Sequence, residues 1–368
     1  MSTNLRVVET EPQSDPRWES FVAQHPHGSI YHHPAWLDSL EREYGQKGVH
    51  LTCEDATGNL VAILPMLRTR GLPFSLRRSL TGRRLSSLPR TPIAGPLSID
   101  SRASAALLLR AMEHVSADST LLLQIKAQGS DLDGIIPGLD CVPWRLSYVL
   151  RLPTNAPYRI NNTHTRASIK WAMNKAKRMG VTVRTAGKED DLRAWYKLYL
   201  ETMRRNAILP RPYRFFVALW DSLKPRGLMQ LLIAEQNAGS QTRMIAGSIF
   251  LTFGQTVSYA FNGSRVEDLS LRPNDFIQWQ AINEACAAGY RYFDFGEVPD
   301  GHSELAKFKS KWGSVPVRLY RYYYPARKNL DIKNSEFQDY KESMRNAIWR
   351  RLPLPAVAWL GDRIYRYL

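Results

Sequence analysis

One order of elements occurs twice in this chain, and that repetition limits its fold more than any other feature. Residues 50–69 (HLTCEDATGNLVAILPMLRT) read as strand, turn and strand. Asp55 to Asn59 supply the turn, and Val61, Ile63 and Leu64 the apolar run after it. Residues 229–254 (MQLLIAEQNAGSQTRMIAGSIFLTFG) repeat the form with a longer turn, and Ala62 and Ala246 hold similar places in the second strand of each hairpin. A helix and then a strand follow both times. In 101–126 (SRASAALLLRAMEHVSADSTLLLQIK) apolar residues at helical spacing lead through a polar break to the strand LLLQI. In 276–298 (FIQWQAINEACAAGYRYFDFGEV) the helix ends at Gly289 and Tyr290 to Phe295 alternate as a strand. The pattern predicts an α+β fold of two tandem domains, each a mixed, mainly antiparallel sheet flanked by helices.

At 368 residues the chain is long enough for both. The predicted boundary follows the strand SYVLRL (147–152), where PTNAP (153–157) brings two prolines. One domain is therefore expected over 1–152 and a second, carrying the active site, over 158–326. The second begins with a basic helix, RASIKWAMNKAKRMG (166–180), closed by Gly180. A strand at 181–185, a helix at 191–206 and a last strand at 317–326 complete it. Residues 336–368 form a basic tail in which Trp349, Leu352, Trp359, Leu360, Ile364, Tyr365 and Leu368 alternate with arginines. That mixture suits a helix at an anionic membrane surface, and equally a helix docked on the protein body.

Lys and Arg outnumber Asp and Glu by 50 to 34, a net charge of +16. Such a balance favours polyanionic partners (nucleic acid, phosphorylated precursors, anionic lipid) over acidic proteins, and is also met in proteins with a generally basic surface. Cys53, Cys141 and Cys286 stand far apart, which argues against a disulfide scaffold or structural zinc and for a reducing compartment. The first residues lack the basic start and apolar core of a secretion signal, and no uncharged apolar run reaches 18 residues. The expected location is the cytoplasm, peripheral at the inner membrane face if the envelope is served. His25, His27, His32 and His33 fall in a Pro/Gly-rich stretch and are expected as surface loop residues rather than metal ligands; no metal site is expected.

HExxH, GxxxxGK[ST], GxSxG and GxGxxG are all absent. The densest constellation is FDFGEVPDGHSELAKFKSKWG (293–313). A strand ends in Asp294–Phe295–Gly296, a polar loop follows, and a short helix sets Leu305, Phe308 and Trp312 on one stripe with Lys307, Lys309 and Lys311 between them. A lysine there can stabilise the negative charge that forms on a carbonyl oxygen during aminolysis. Taken by spacing alone, the segment reads rather as an amphipathic helix with solvated lysines.

DFG, a loop, then FKxKWG and an aromatic-rich strand resemble the C-terminal signature of FemAB-type aminoacyltransferases, which belong to the GNAT-like superfamily. The basic helix RASIKWAMNKAKRMGV, the segment ETMRRNAILPRPYRFF, and VSYAFNGS before RPNDFIQW are similar as well, so the likeness spans most of residues 27–325. The resemblance implies two fused GNAT-like domains that take an aminoacyl group from aminoacyl-tRNA and form an amide on a phosphorylated peptidoglycan or other envelope precursor, without a resident cofactor. It implies a catalytic role for Lys309, beside Phe308, which is expected to pin its stem, with Asp294 as the adjoining carboxylate. It implies substrate contacts at Arg204 or Arg205 and at Tyr259; Phe308, next to Lys309, and Arg272, before a helix, are further candidate substrate contacts. Lys307 and Lys311 turn to other faces of the helix. The long coiled-coil arm of larger members is missing. The alternative donor is acyl-CoA, serving N-acylation of an amino sugar or lipid intermediate. CoA-using members carry an R/QxxGxG/A loop before a helix, and NGSRVEDLSLRPNDFIQW (262–279) keeps only Gly263 of it, with Arg265 and Arg272 as other phosphate contacts. A third reading is a non-catalytic pair of domains acting as a basic adaptor.

Overall fold

A computed structural model describes residues 5–71, 82–154, 156–160, 162–238, 241–326 and 346–367. The chain divides into two compact units. One takes the residues up to Leu146 and returns at Val317; the other takes Ser147–Pro316 and the described tail to Tyr365.

The first unit opens with an antiparallel sheet of order β1-β2-β3-β6, made of β1 (Arg6–Glu9), β2 (Leu51–Glu54), β3 (Leu60–Leu64) and β6 (Leu97–Ser98). The β2–β3 turn is set by one side chain. Asp55 Oδ1 accepts the N–H groups of Thr57 and Asn59 at 2.8 and 3.0 Å, so the carboxylate replaces the missing ladder partners. Helix α1 (Pro16–Gln24) and helix α2 (Pro34–Tyr44) both start on proline, whose fixed φ suits a first helical position. Helix α3 (Ser101–Ser116) is capped by Asp100, which takes the Ala103 N–H at 2.8 Å. It buries Leu107, Leu108, Ala111 and Val115 in one core with Leu51, Cys53, Leu123 and Ile125.

The strand after α3 does not join the hairpin before it. β7 (Leu122–Ala127) pairs in parallel with β5 (Arg84–Ser86), which neighbours β4 (Leu67–Thr69), and antiparallel with β14 (Val315–Tyr324). The last strand, expected in the second domain, thus counts with the first unit from Val317 on. Tyr322 sits opposite Ile125 and is fully buried in the α3 core. Nothing local in an aromatic strand states which distant strand it will pair with.

The histidine stretch is a surface turn only in its first half: His25 is half-buried and His27 exposed, whereas His32 and His33 go inside. His32 and His33 are 3% exposed. Ser29 Oγ and the Gly95 carbonyl lie 2.8 and 3.0 Å from the two His32 ring nitrogens, and burial pushes that imidazole down to about 4. His33 Nδ1 accepts the Ala35 N–H at 3.1 Å as the α2 cap. A polar ring buries readily when its nitrogens replace backbone partners, which composition does not reveal.

The second unit is built on a sheet running from residues 147–151 of β8 (Asp140–Arg151) through β13 (Tyr292–Val298), β12 (Thr256–Ser264), β11 (Gln241–Phe253) and β10 (Met229–Ala238) to β9 (Val181–Thr185). β10 and β11 are the second hairpin, with Ala246 opposite Ala234. Around the sheet lie α4 (Thr163–Arg178), α5 (Glu189–Arg205), α6 (Tyr213–Leu223), α7 (Pro273–Ala287) and α8 (Ser303–Ser310). The α5 side is an aromatic core. Trp195 stacks on Tyr199 at 5.4 Å, meets Phe216 edge-on at 5.0 Å, and donates its indole N–H to the Gly247 carbonyl at 2.9 Å.

Gly263, read above as the remnant of a phosphate loop, is a packing glycine. A Cβ at that position would lie 2.5 Å from the Tyr199 amide nitrogen, so α5 crosses β12 where only glycine fits. Gly263→Ala should therefore force the helix off the sheet, at about 1–3 kcal/mol of overpacking. Urea unfolding is the check, and an unchanged midpoint would show that α5 yields without strain.

The described part of the tail packs on the second unit. Residues 346–351 are helical and α9 spans Leu354–Ile364. Val357 and Tyr365 are buried, Arg214 pairs with Asp362, and a Cβ on Gly361 would sit 2.8 Å from the Pro210 carbonyl oxygen. Residues 336–345 lie outside the described residues. Among the described residues no helix is long and apolar enough to cross a membrane.

Candidate active site

The site is set by a parting of two strands. β12 and β13 pair in parallel from Thr256/Tyr292 to Ser258/Asp294, and there the shared register ends, although both strands continue. At the same level β12 carries a bulge against β11: Ile249 faces Phe261 and Phe250 faces Tyr259, which leaves Ala260 out of the ladder. Parted strands and a bulge leave backbone N–H and C=O groups that other partners must satisfy.

Lys309 is one such partner. It is 4% exposed on α8, and its Nζ donates to the carbonyls of Gly296 and Glu297, both at 2.9 Å. Burial lowers its pKa to about 8, against the opposing fields of Asp294 and the Glu297 carboxylate. An ammonium has three donors, and these bonds use two. Asp294 is fixed in turn. Its Oδ1 accepts the Gly296 N–H and the Ser147 hydroxyl, both at 2.8 Å, and Gly296 turns the strand with φ +74°. Burial raises the Asp294 pKa despite those two bonds. The cluster thus offers a cation near its titration point, an oriented carboxylate and an unladdered stretch of backbone.

Tyr259 lies at the same parting, on β12. Its ring stacks on Phe250 at 5.6 Å and meets Phe295 edge-on at 6.5 Å, and burial raises its pKa. Arg272 caps α7 in the left-handed region (φ +63°), with its Nε 3.6 Å from Asp275. Arg204 and Arg205 make their bonds elsewhere. Arg204 donates to the Leu352 carbonyl of the tail at 3.2 Å, and Arg205 to the Ser264 carbonyl at the end of β12 at 3.3 Å.

Two details of the lysine run differ from expectation. The Phe308 ring, expected beside the Lys309 stem, lies under Lys311, whose Nζ is 4.2 Å from the ring centroid. Lys311 is also not a solvated neighbour, for it pairs with Asp275, a carboxylate 4% exposed in the first turn of α7. Lys307 is exposed and pairs with Glu304 at 2.8 Å. The spacing KFKSK holds no sign of these ties, because both depend on α7 lying alongside. The partners Ser147, Asp275 and the Ala260 bulge likewise lack a local signal, and only the adjacency of Asp294 to a glycine pointed to this strand end.

Residues 163–309, all within the second unit, match the family model of the acetyltransferase (GNAT) domain. No curated protein matches the sequence. Among solved structures, FemX is similar at TM-score 0.62 and 16% identity, over 87% of this chain and 98% of its own. The C-terminal domain of a putative lysylphosphatidylglycerol synthetase from Agrobacterium fabrum is similar at TM-score 0.56 and 12% identity, over 92% and 97%. L-PGS from Bacillus licheniformis follows at TM-score 0.55 and 12% identity, over 94% and 99%. These identities speak for the fold, and the matched family model speaks for the chemistry. The chain is an acyltransferase with a GNAT domain over residues 163–309, in the α+β fold that it shares with FemX.

Proposed function

We propose that this acyltransferase moves an aminoacyl group from aminoacyl-tRNA onto an amine of a phosphorylated cell-envelope precursor, of the peptidoglycan kind, with no resident cofactor. The observation that carries the reading is Lys309, buried where β12 leaves β13, with its ammonium anchored to two carbonyls and one donor remaining. The amine nitrogen attacks the ester carbonyl carbon, and negative charge collects on the former carbonyl oxygen. Lys309 and the backbone beside Ala260 stabilise that charge more than they stabilise the ground state. The C–O bond to the ribose then breaks, the ribose hydroxyl leaves with a proton, and the amide remains. Asp294 holds the Gly296 turn and so the carbonyls to which Lys309 is tied. Tyr259 and Phe308 contact the acyl donor, Arg272 its phosphates, and Arg204 or Arg205 the phosphates of the acceptor. The fold shared with FemX and with proteins named for lysylphosphatidylglycerol synthesis supports an aminoacyl donor and an acceptor from the envelope.

An acyl-CoA donor is the second reading, favoured by the match to an acetyltransferase domain. Against it stands Asp275. A helix start that binds pyrophosphate presents bare N–H groups, whereas a buried carboxylate already occupies the first turn of α7. Purified protein should convert a nucleotide-linked precursor bearing a free amine into an amide when given aminoacyl-tRNA, and not when given acetyl-CoA. Product from acetyl-CoA alone would replace the donor. No product from either, above that of Lys309→Ala, would leave the adaptor reading. Ile348 and Trp359, exposed beside Arg350, Arg351 and Arg363, support peripheral contact with anionic lipid at the cytoplasmic membrane face.

A further inference from the structure

Helix α4 carries a surface that the transfer chemistry does not use. Its residues Thr163–Arg178 include Arg166, Lys170, Lys175, Lys177 and Arg178 and not one carboxylate. An isolated run of this kind is usually a solvated face. Here an aromatic side chain breaks it: Trp171 is 50% exposed, an unusual setting for an indole. The Lys175 Nζ stands 5.3 Å from the centre of the indole ring and the Arg272 guanidinium 5.4 Å. Next to it, Lys177, Val181, Val183, Phe276 and Gln280 line a cavity of 430 Å³, with the Lys177 Nζ 5.9 Å from the Phe276 ring centre. Flat aromatic surface flanked by cations, beside a cavity with apolar and amide walls, is the chemistry that holds unpaired bases between phosphates.

The surface also connects to the candidate active site. Arg272 reaches from Trp171 to Asp275, Asp275 pairs with Lys311, and Lys311 lies two residues from Lys309 on the same stretch of chain. We propose that the α4 face, centred on Trp171, binds the single-stranded acceptor end of an RNA and leads it toward Lys309. This rests on the aminoacyl-tRNA reading of the donor. A base stacks on Trp171, phosphates meet Lys170, Lys177 and Arg178, and the cavity at Phe276 takes a neighbouring base.

The test is fluorescence anisotropy with a labelled, uncharged RNA minihelix that ends in a four-nucleotide 3′ single strand. Trp171→Ala should weaken binding about tenfold, roughly 1.4 kcal/mol and within the range of one stacked base. The triple variant Lys170→Ala, Lys177→Ala, Arg178→Ala should lower the slope of log Kd against log salt by about 2. Arg193→Ala with Lys197→Ala, exposed cations on α5, should change little. A blunt minihelix should bind wild type and Trp171→Ala alike. Equal weakening by the α4 and α5 variants would mean diffuse attraction and overturn the proposal. So would displacement of the RNA by CoA in a manner sensitive to Trp171, which would assign the surface to a nucleotide thioester. Aminoacyl transfer that proceeds while α4 variants bind RNA as wild type does would sink this surface and keep the donor reading. RNA binding that depends on Trp171 without any transfer would keep the surface and sink the donor reading.

Discussion

Lys309→Ala should lower turnover by about 10²–10³, the usual effect of removing one preorganised donor from a developing oxyanion. The pH profile separates this from a purely structural loss. Activity that needs the ammonium is complete below the Lys309 pKa of about 8 and falls as pH rises through it. The residual rate of Lys309→Ala should lack that falling limb. A rate that instead climbs through pH 8 in the wild type would make neutral Lys309 a base and overturn the assignment. The variant should also be less stable, because the Gly296 and Glu297 carbonyls lose their donor. Turnover must therefore be compared well below both melting temperatures. Linkage adds a second check. The folded pKa lies below the ordinary lysine value of 10.5, so between about pH 8 and 10.5 the unfolded chain binds more protons at this group. Through Lys309, stability should rise with pH across that window, and Lys309→Met should flatten the rise.

The second large effect concerns stability. Lys311→Ala strips a buried carboxylate of the nearer of its two cations, leaving it the more distant Arg272 Nε at 3.6 Å, and Asp275 has no bulk water to turn to. Breaking such a pair costs about 3–5 kcal/mol, and the lower end applies because the Lys311 side chain is a quarter exposed. Unfolding of the second unit should move down by roughly 6–12 °C. Asp275→Asn with Lys311→Met should recover much of the loss, and a double-mutant cycle reads the coupling. A melting temperature unchanged in Lys311→Ala would mean that the pair is solvated. Lys307→Ala, whose partner Glu304 is exposed, should alter neither stability nor turnover measurably.

Both hairpins, α3, α4, α5 and the strand Val181–Thr185 were legible in the sequence, because apolar period and end signals are local. The turn at Asp55 was legible for the same reason. What depends on distant pairing was not. β14 reads as a strand, yet only the buried fit of Tyr322 beside Ile125 places it with β7. At the site, Asp294–Gly296 and the lysine run marked the right segment. Which lysine is buried, and which one Phe308 supports, depends on how α8 lies against β13 and α7. His32 shows the same limit from the other side: a polar residue in a Pro/Gly-rich stretch went inside because Ser29 and Gly95 supply its partners.

The return of β14 to the first unit has a consequence for how the chain is made. β7 waits for its antiparallel neighbour until Tyr320–Tyr324 are synthesised, roughly 200 residues later, or about 10–40 s at ordinary translation rates. The second unit is likewise finished only when α9 arrives after that strand. The first unit stays without β14 until nearly all of the second has been made, and the β7 edge that β14 covers is open for that time. Halves cut at the proline-rich segment 153–157 and expressed separately would each lack a piece encoded in the other or later in the chain. The first half in particular would carry β7 into solution with one edge unpaired.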